Sequence, residues 1–187
     1  THPIVHFHTL FSKKPFVGAT MAISSHLTLL TGIAGINVYI VRILKLPFDI
    51  SLHFYFFFFV GVIITGILKM FFYSSVGAGF LGTLGSSALL YVSIHWIILG
   101  NTINIPLLYI QGLLLGFGAS MTLVSGSMAT LLDGDLKEAA QRSQTMHTMR
   151  NFSAAMLIPI IAYTIKNHIQ KGTQSIYCLL YTSPSPR

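Results

Sequence analysis

Three histidines and one arginine stand inside or beside stretches that are otherwise oil: His26, His95, His147 and Arg150. An ionisable group at bilayer depth is costly, so it usually faces a cavity or a partner and marks a functional position. His26 lies part-way into the first apolar stretch, among Ser24, Ser25, Thr28 and Thr31. Ser24, Thr28, Thr31 and Gly35 follow helical spacing, which makes one face polar and small. Such a stripe suits a water-filled path or a substrate wall, and hydrogen bonding between helices accounts for it equally well. His147 sits one turn before Arg150 and Asn151. Arg150 cannot lose its proton, so it must meet a headgroup, a carboxylate, a carbonyl or water, and we read it as lining a pathway. His95 beside Trp96 reads as an interfacial aromatic belt.

A further polar series is carried by "IQGLLLGFGASMTLVSGSMATLL", with Gln111, Ser120, Thr122, Ser125, Ser127 and Thr130 beside Met121 and Met128. Hydroxyls at several angles suit either packing or weak, multi-site contact with a ligand, and methionine adapts its shape to permissive apolar surfaces. No Ser/His/Asp set, zinc signature or phosphate loop can be assembled, and "GFGASM" falls within an apolar helix, not after a strand. The histidine spacings match no metal-ligand pattern, and the chain has one cysteine, Cys178. No cofactor, metal or catalytic residue is expected, and the chain is not read as an enzyme.

These residues need elements to hold them, and composition says of what kind. The chain is 53% hydrophobic and 8% charged, with mean hydropathy +0.72. A soluble domain carries about a quarter charged residues. Eleven Lys and Arg against four acids give a net charge of +7. The cations sit at the ends of apolar runs, where headgroups and water solvate them. No basic-aromatic strip of the kind that grips nucleic acid is present, so nucleic acid is not expected as a partner. The opening "THPIVHFHTLFSKKPF" lacks both a start residue and a signal pattern, and the N-terminus reads as truncated.

Five stretches are long and apolar enough to read as spans, given about 20 residues per crossing. They cover about 16–44, 51–73, 76–99, 106–132 and 136–166. The last is apolar only from Phe152 to Ile165, but good helix formers precede it and Asp135 with Glu138 has capping-box spacing. The expected fold is all-α, a polytopic transmembrane bundle spanning 16–166, with 1–15 as a cytoplasmic link and 167–177 as an extracytoplasmic one. Alternating crossings place Lys13, Lys14, Lys69, Lys137, Arg142 and Arg150 on one side, and Arg42, Lys45, Lys166 and Lys171 on the other. Six against four favours the first side as cytoplasmic. Small residues at four-residue spacing, Gly112, Gly116 and Ser120 in one stretch and Ala78, Gly82 and Ser86 in another, read as helix-contact ridges or as sliding surfaces.

"HPIVHFHTLFSKKPFVGA", through Pro3, Leu10, Phe11, Lys13, Lys14 and Phe16, resembles the segment before the ninth helix of fourteen-span drug/proton antiporters of the major facilitator superfamily, the EmrB/QacA type. "GLLLGFGASMTLVSGSMATL" followed by "MHTMRNFSAAM" is similar to that family's twelfth and thirteenth helices, with Arg150 at the arginine position and Ser153, Ala154 and Ala155 near the usual glycines. The resemblance covers about Pro3 to Asn167. Two departures stand out: "GILKMFFYSSVGAG" keeps Gly66 and Lys69 but lacks the acid of the family's gating motif, and no acid lies within any stretch. "CLLYTSPSPR" resembles translated sequencing-adapter sequence, so Cys178 to Arg187 are expected to be foreign.

The resemblance implies a major-facilitator C-terminal half: a secondary transporter of small amphipathic compounds, driving efflux with protons by alternating access in a bacterial inner membrane. Its implied partners are the lipid bilayer, a small-molecule substrate, protons and a missing N-terminal half of the same chain. On this expectation His26, Thr28, Thr31 and Ser125 face the substrate pathway, with His147 beside it and Arg150 near its cytoplasmic mouth. A non-transporting membrane scaffold or assembly subunit, and a carrier for uptake of a small solute, remain open alternatives.

Overall fold

The computed structural model describes residues 13–99, 104–132 and 138–182, with side chains between 14 and 170 except 42, 43, 99 and 169. The segment around Pro3, Leu10 and Phe11, the residues Asp135 and Lys137, and the end of the tail lie outside the described residues. The described residues form helices and no strand: α1 (Lys13–Asn37), α2 (Phe48–Leu99), α3 (Ile105–Leu132) and α4 (Ala139–Thr182). Three of them, α1, α2 and α3, are long and apolar enough to cross a membrane.

Pro15 enters α1 in its first turn, where a missing N–H costs nothing. At its far end α1 widens into a π-helical turn, Val38–Ile43. There the Leu44 amide donates to the Tyr39 carbonyl at 2.9 Å and the Leu46 amide to the Ile40 carbonyl at 3.1 Å. Lys45, at φ 50°, closes the turn in the left-handed region, and Pro47 precedes α2.

At 1.5 Å per residue, the 52 residues of α2 would reach roughly two and a half times the hydrocarbon thickness if straight. They are not straight. Gly77 has φ 80° and ψ 164°, a conformation open to glycine and strained for other residues. Partners on α3 show where the two arms go. Along the first arm Phe54 meets Gly112, Thr65 meets Phe117 and Lys69 meets Met121, in the same direction as α3. Along the second, Gly82 approaches Ser125, Gly85 meets Met121, and Trp96 meets Gln111, in the opposite direction. The chain therefore doubles back at Gly77, and α3 lies between the arms. The most apolar window of α3 is 50% buried, against 22% for α1 and α2, which makes α3 the central helix.

α1 runs antiparallel to α3: Gly18 faces Gly126 and Thr130, while Gly32 faces Leu115. α4 runs alongside α1 in the same sense, with Met146 packed on Ala19 and Ala22 and Lys166 beside Asn37 and Val41. The second and third stretches expected from the sequence are the two arms that meet at the non-helical Gly77, and the fifth falls within α4, which has the length of a span but is not among the helices apolar enough to be one. α4 also runs past Lys166 through 167–177, expected as a link, to Thr182, with Pro159 inside it.

The outward face of the first arm of α2 exposes Phe48, Leu52, Phe56, Phe59, Ile63 and Met70. So long an apolar face is disfavoured in water and suits hydrocarbon. The inward side builds the core, where Ile36, Ile40, Phe54, Phe58, Leu89 and Leu115 cluster.

Candidate functional site

Close backbone approach sets the frame of the site. A Cβ placed on Gly116 would fall onto the Phe58 carbonyl, and one on Gly61 onto the Leu113 carbonyl. On the other arm, a Cβ on Gly85 would stand 2.9 Å from the Gly118 oxygen, and one on Gly118 2.8 Å from the Gly85 oxygen. Glycine is required at these crossings because the backbones touch. Hydrogen bonds lock the same seams. Thr65 Oγ1 donates to the Gly61 carbonyl at 3.0 Å and lies 3.1 Å from that of Phe117. Ser25 Oγ lies 2.9 Å from Thr122 Oγ1 and 3.2 Å from the Ala119 carbonyl, and Thr122 donates to the Gly118 carbonyl. Trp96 Nε1 donates to Gln111 Oε1 at 2.7 Å, which leaves the Gln111 amide nitrogen to donate to His95 Nδ1 at 2.8 Å. His95 and Trp96 thus tie the second arm to α3, a role the interfacial-belt reading did not contain.

Between these seams two hollows open. The first, about 250 Å³, is lined by Met21, Ser24, Ser25, Thr28, Ser86 and Ser93 among others. The second, about 490 Å³, is lined by Thr28, Thr31, Trp96, Ile97, Leu115 and Leu157 among others. Thr28 and Ser93 line both, so the hollows adjoin. Most of their hydroxyls are already spent as donors on their own helices: Ser24 on Thr20, Thr28 on Ser24, Thr31 on Leu27 and Ser93 on Leu89, each at 2.8 or 2.9 Å. What they offer a solute is oxygen lone pairs, spread along a wall that is otherwise apolar.

The basic side chains fall into different surroundings. Arg142 is 2% exposed; its Nε donates to the Thr130 carbonyl at 3.1 Å and its Nη2 to that of Leu131 at 3.0 Å. It closes the C-terminus of α3, with Glu138 3.8 Å away. Lys69 Nζ donates to the Met121 carbonyl at 2.8 Å and lies 3.3 Å from that of Ser120, near the middle of α3. Arg150 is half-buried, well inside α4, and its Nε has no hydrogen-bond partner among the described residues. Lys69 and Arg150 therefore lie along the helices, not at their ends. The sequence count of six cations against four becomes four against four without them, and charge no longer favours one side as cytoplasmic.

Of the residues singled out in the sequence, Thr28 and Thr31 line the second hollow, while His26 and Arg150 are half-buried and line neither hollow. Ser125 is fully buried, its hydroxyl without a hydrogen-bond partner among the described residues, and it is not in the lining of either hollow. His147 is exposed. The sequence reading missed Ser93, Ser86 and Leu157 as lining residues and Gln111 as a junction; the only signal for Gln111 was an amide inside an apolar run. No group of three His, Cys, Asp or Glu able to hold a metal occurs among the described residues. No protein-family model, curated protein or solved structure matches the chain.

Proposed function

We propose that the chain is part of a secondary transporter that moves small amphipathic compounds by alternating access, with proton-coupled efflux as the direction. The observation that carries this reading is the pair of adjoining hollows, joined at Thr28 and Ser93 and walled by hydroxyl oxygens and apolar side chains. Clefts of a few hundred Å³, mostly apolar with a few oriented polar groups, are what small-molecule sites require. In this reading α1, both arms of α2, α3 and α4 make five crossings in a bacterial inner membrane. The major-facilitator resemblance supplies the remainder: a partner half of the same chain that closes the hollows from the open side, so that rocking about α3 exposes them alternately. Within this scheme His26, Thr28 and Thr31 contact substrate and Arg150 lies near the cytoplasmic mouth of the pathway.

The test is flux. Vesicles holding the intact protein should accumulate an amphipathic dye when a proton gradient is imposed, and Thr28→Val with Ser93→Val should lower the rate while leaving protein level unchanged. Equal flux in vesicles with and without the protein would refute the proposal. A scaffold or assembly role is the second reading, favoured by the glycine seams, which fit helices built for permanent contact. Gradient-driven flux would remove it.

A further inference from the structure

We infer that the joined hollows select uncharged hydrogen-bond donors, amphiphilic alcohols above all, over acceptor-only molecules and ions of the same size. The first support is where the hydroxyl protons go. In the smaller hollow Ser24, Thr28, Ser86 and Ser93 each donate to the carbonyl four residues back, at 2.8 or 2.9 Å. Thr122 donates to the Gly118 carbonyl, which leaves Ser25 to donate to Thr122 Oγ1 or to the Ala119 carbonyl. At the wall of the larger hollow Thr31 donates to the Leu27 carbonyl and Trp96 Nε1 to Gln111. Every side-chain O–H and N–H in these linings is engaged, while each hydroxyl oxygen keeps a lone pair. A ligand O–H therefore adds a hydrogen bond without breaking one. A ligand ether or carbonyl oxygen gains one only where a hydroxyl gives up its helix carbonyl, and that exchange is nearly neutral.

The second support is the layout of the two surfaces. Six hydroxyls gather in the smaller hollow, of about 250 Å³, whereas Leu27, Ile97, Leu115 and Leu157 wall the larger, of about 490 Å³. Thr28 and Ser93 belong to both, so a ligand seats its hydroxyl on the oxygens of the first and its apolar body in the second. Ser24 and Thr31, the ends of the α1 row, are seven residues apart, about 10 Å of helix, close to the length of an extended bromohexanol. Neither lining includes a charged side chain among the described residues. An ion entering there leaves water for a wall without a countercharge, which is costly. This rests on the transporter reading and deepens it by naming its substrate class, and it is tested by binding, which needs no transport.

Trp96 lines the larger hollow and supplies the readout, because bromine quenches indole fluorescence on contact. The intact protein in detergent is titrated with 6-bromohexan-1-ol and with 1-bromo-6-methoxyhexane, whose oxygen accepts but has no proton to donate, each compared at equal concentration in the micelle. Quenching that disappears in Trp96→Phe is the signal from the hollow. Saturable quenching by the alcohol is expected, with the ether about five-fold weaker. The ions 6-bromohexanoate and 6-bromohexyltrimethylammonium should be at least about ten-fold weaker than the alcohol. Thr28→Val with Ser93→Ala removes two acceptors where the hollows meet; it should shrink the advantage of the alcohol and leave the ether unchanged. Equal or tighter binding of the ether by the unmodified protein overturns the inference whether or not the double variant folds. So does tighter binding of either ion, quenching that never saturates, or an undiminished preference for the alcohol in a folded double variant. Alcohol-selective binding without proton-driven flux would sink the transporter reading alone; dye flux with equal binding of alcohol and ether would sink this inference alone.

Discussion

Removing Arg142 should loosen the end of the bundle where α1 begins and α3 stops. The last four carbonyls of a helix have no intrahelical donor. In α3 two of them, on Thr130 and Leu131, take their donors from the Arg142 guanidinium at 3.1 and 3.0 Å. Thr130 also sits 3.4 Å from the Pro15 carbonyl through its hydroxyl, so the same node reaches α1. A hydrogen bond from a charged group contributes about 1.5–3 kcal/mol. Two such bonds do not add in full, and water at the exposed helix end recovers part, so Arg142→Ala should cost about 2–4 kcal/mol. Arg142→Lys keeps the charge but not the two-pronged geometry and should lose about half of that. The Glu138 contact is a control: at 3.8 Å with the carboxylate 50% exposed, Glu138→Gln should cost no more than about 0.5 kcal/mol. Unfolding by SDS titration, followed by far-ultraviolet circular dichroism in micelles, measures all three. An Arg142→Ala variant within about 0.5 kcal/mol of the parent would refute the reasoning, as would a Glu138→Gln loss of equal size.

The glycine seam makes a paired prediction: Gly116→Ala drives a methyl into the Phe58 carbonyl and should cost about 1–3 kcal/mol, whereas Gly66→Ala, with nothing within 4 Å, should stabilise by about 0.5–1 kcal/mol in the same unfolding assay. At the bend, Gly77→Ala meets no atom within 4 Å but must hold φ 80° with ψ 164°, so any loss, about 1–3 kcal/mol, is backbone strain alone, and Gly77→Asn should lose about as much, because asparagine tolerates the left-handed helical region and not this one. Lys69→Met removes a cation from the middle of the α3 seam and should leave stability unchanged or raised in lipid, while Lys69→Glu sets a carboxylate against two carbonyl oxygens and should cost about 3 kcal/mol or more. Equal melting temperatures for the two Lys69 variants would disprove that account.

The helical class and the apolar stretches were legible because hydrocarbon asks only for length and composition, and both are written locally. Bend and register were less so. "YSSVGAG" marks a break, but whether the chain ends a helix there or doubles back depends on α3 lying between the arms, which is a long-range fact. The four-residue ridge of Gly112 and Gly116 was visible; its partners Phe54 and Phe58 were not, because close approach accepts any residue on the opposite side whose carbonyl is free of bulk. The polar stripe shows the same division. Periodicity placed Thr28 and Thr31 on one face, and the structure gives that face a hollow, yet Ser93 and Leu157, which complete it, sit in stretches with no polar period.

Charge is where local reading misled most, and the physical cause is reach. A lysine or arginine carries its charge several ångströms from its Cα, and in helices the side chain points back toward the N-terminus. Lys69 lies late in the first arm of α2, so sequence position assigns it to the helix end; its ammonium lands on carbonyls near the middle of α3. Arg142 and Arg150 are eight residues apart on one helix, yet one caps a neighbour's terminus and the other is half-buried with its Nε unpartnered among the described residues. Counting cations by loop would treat the three alike. Only their acceptors separate them: Lys69 and Arg142 find helix carbonyls, and the Arg150 Nε finds none among the described residues.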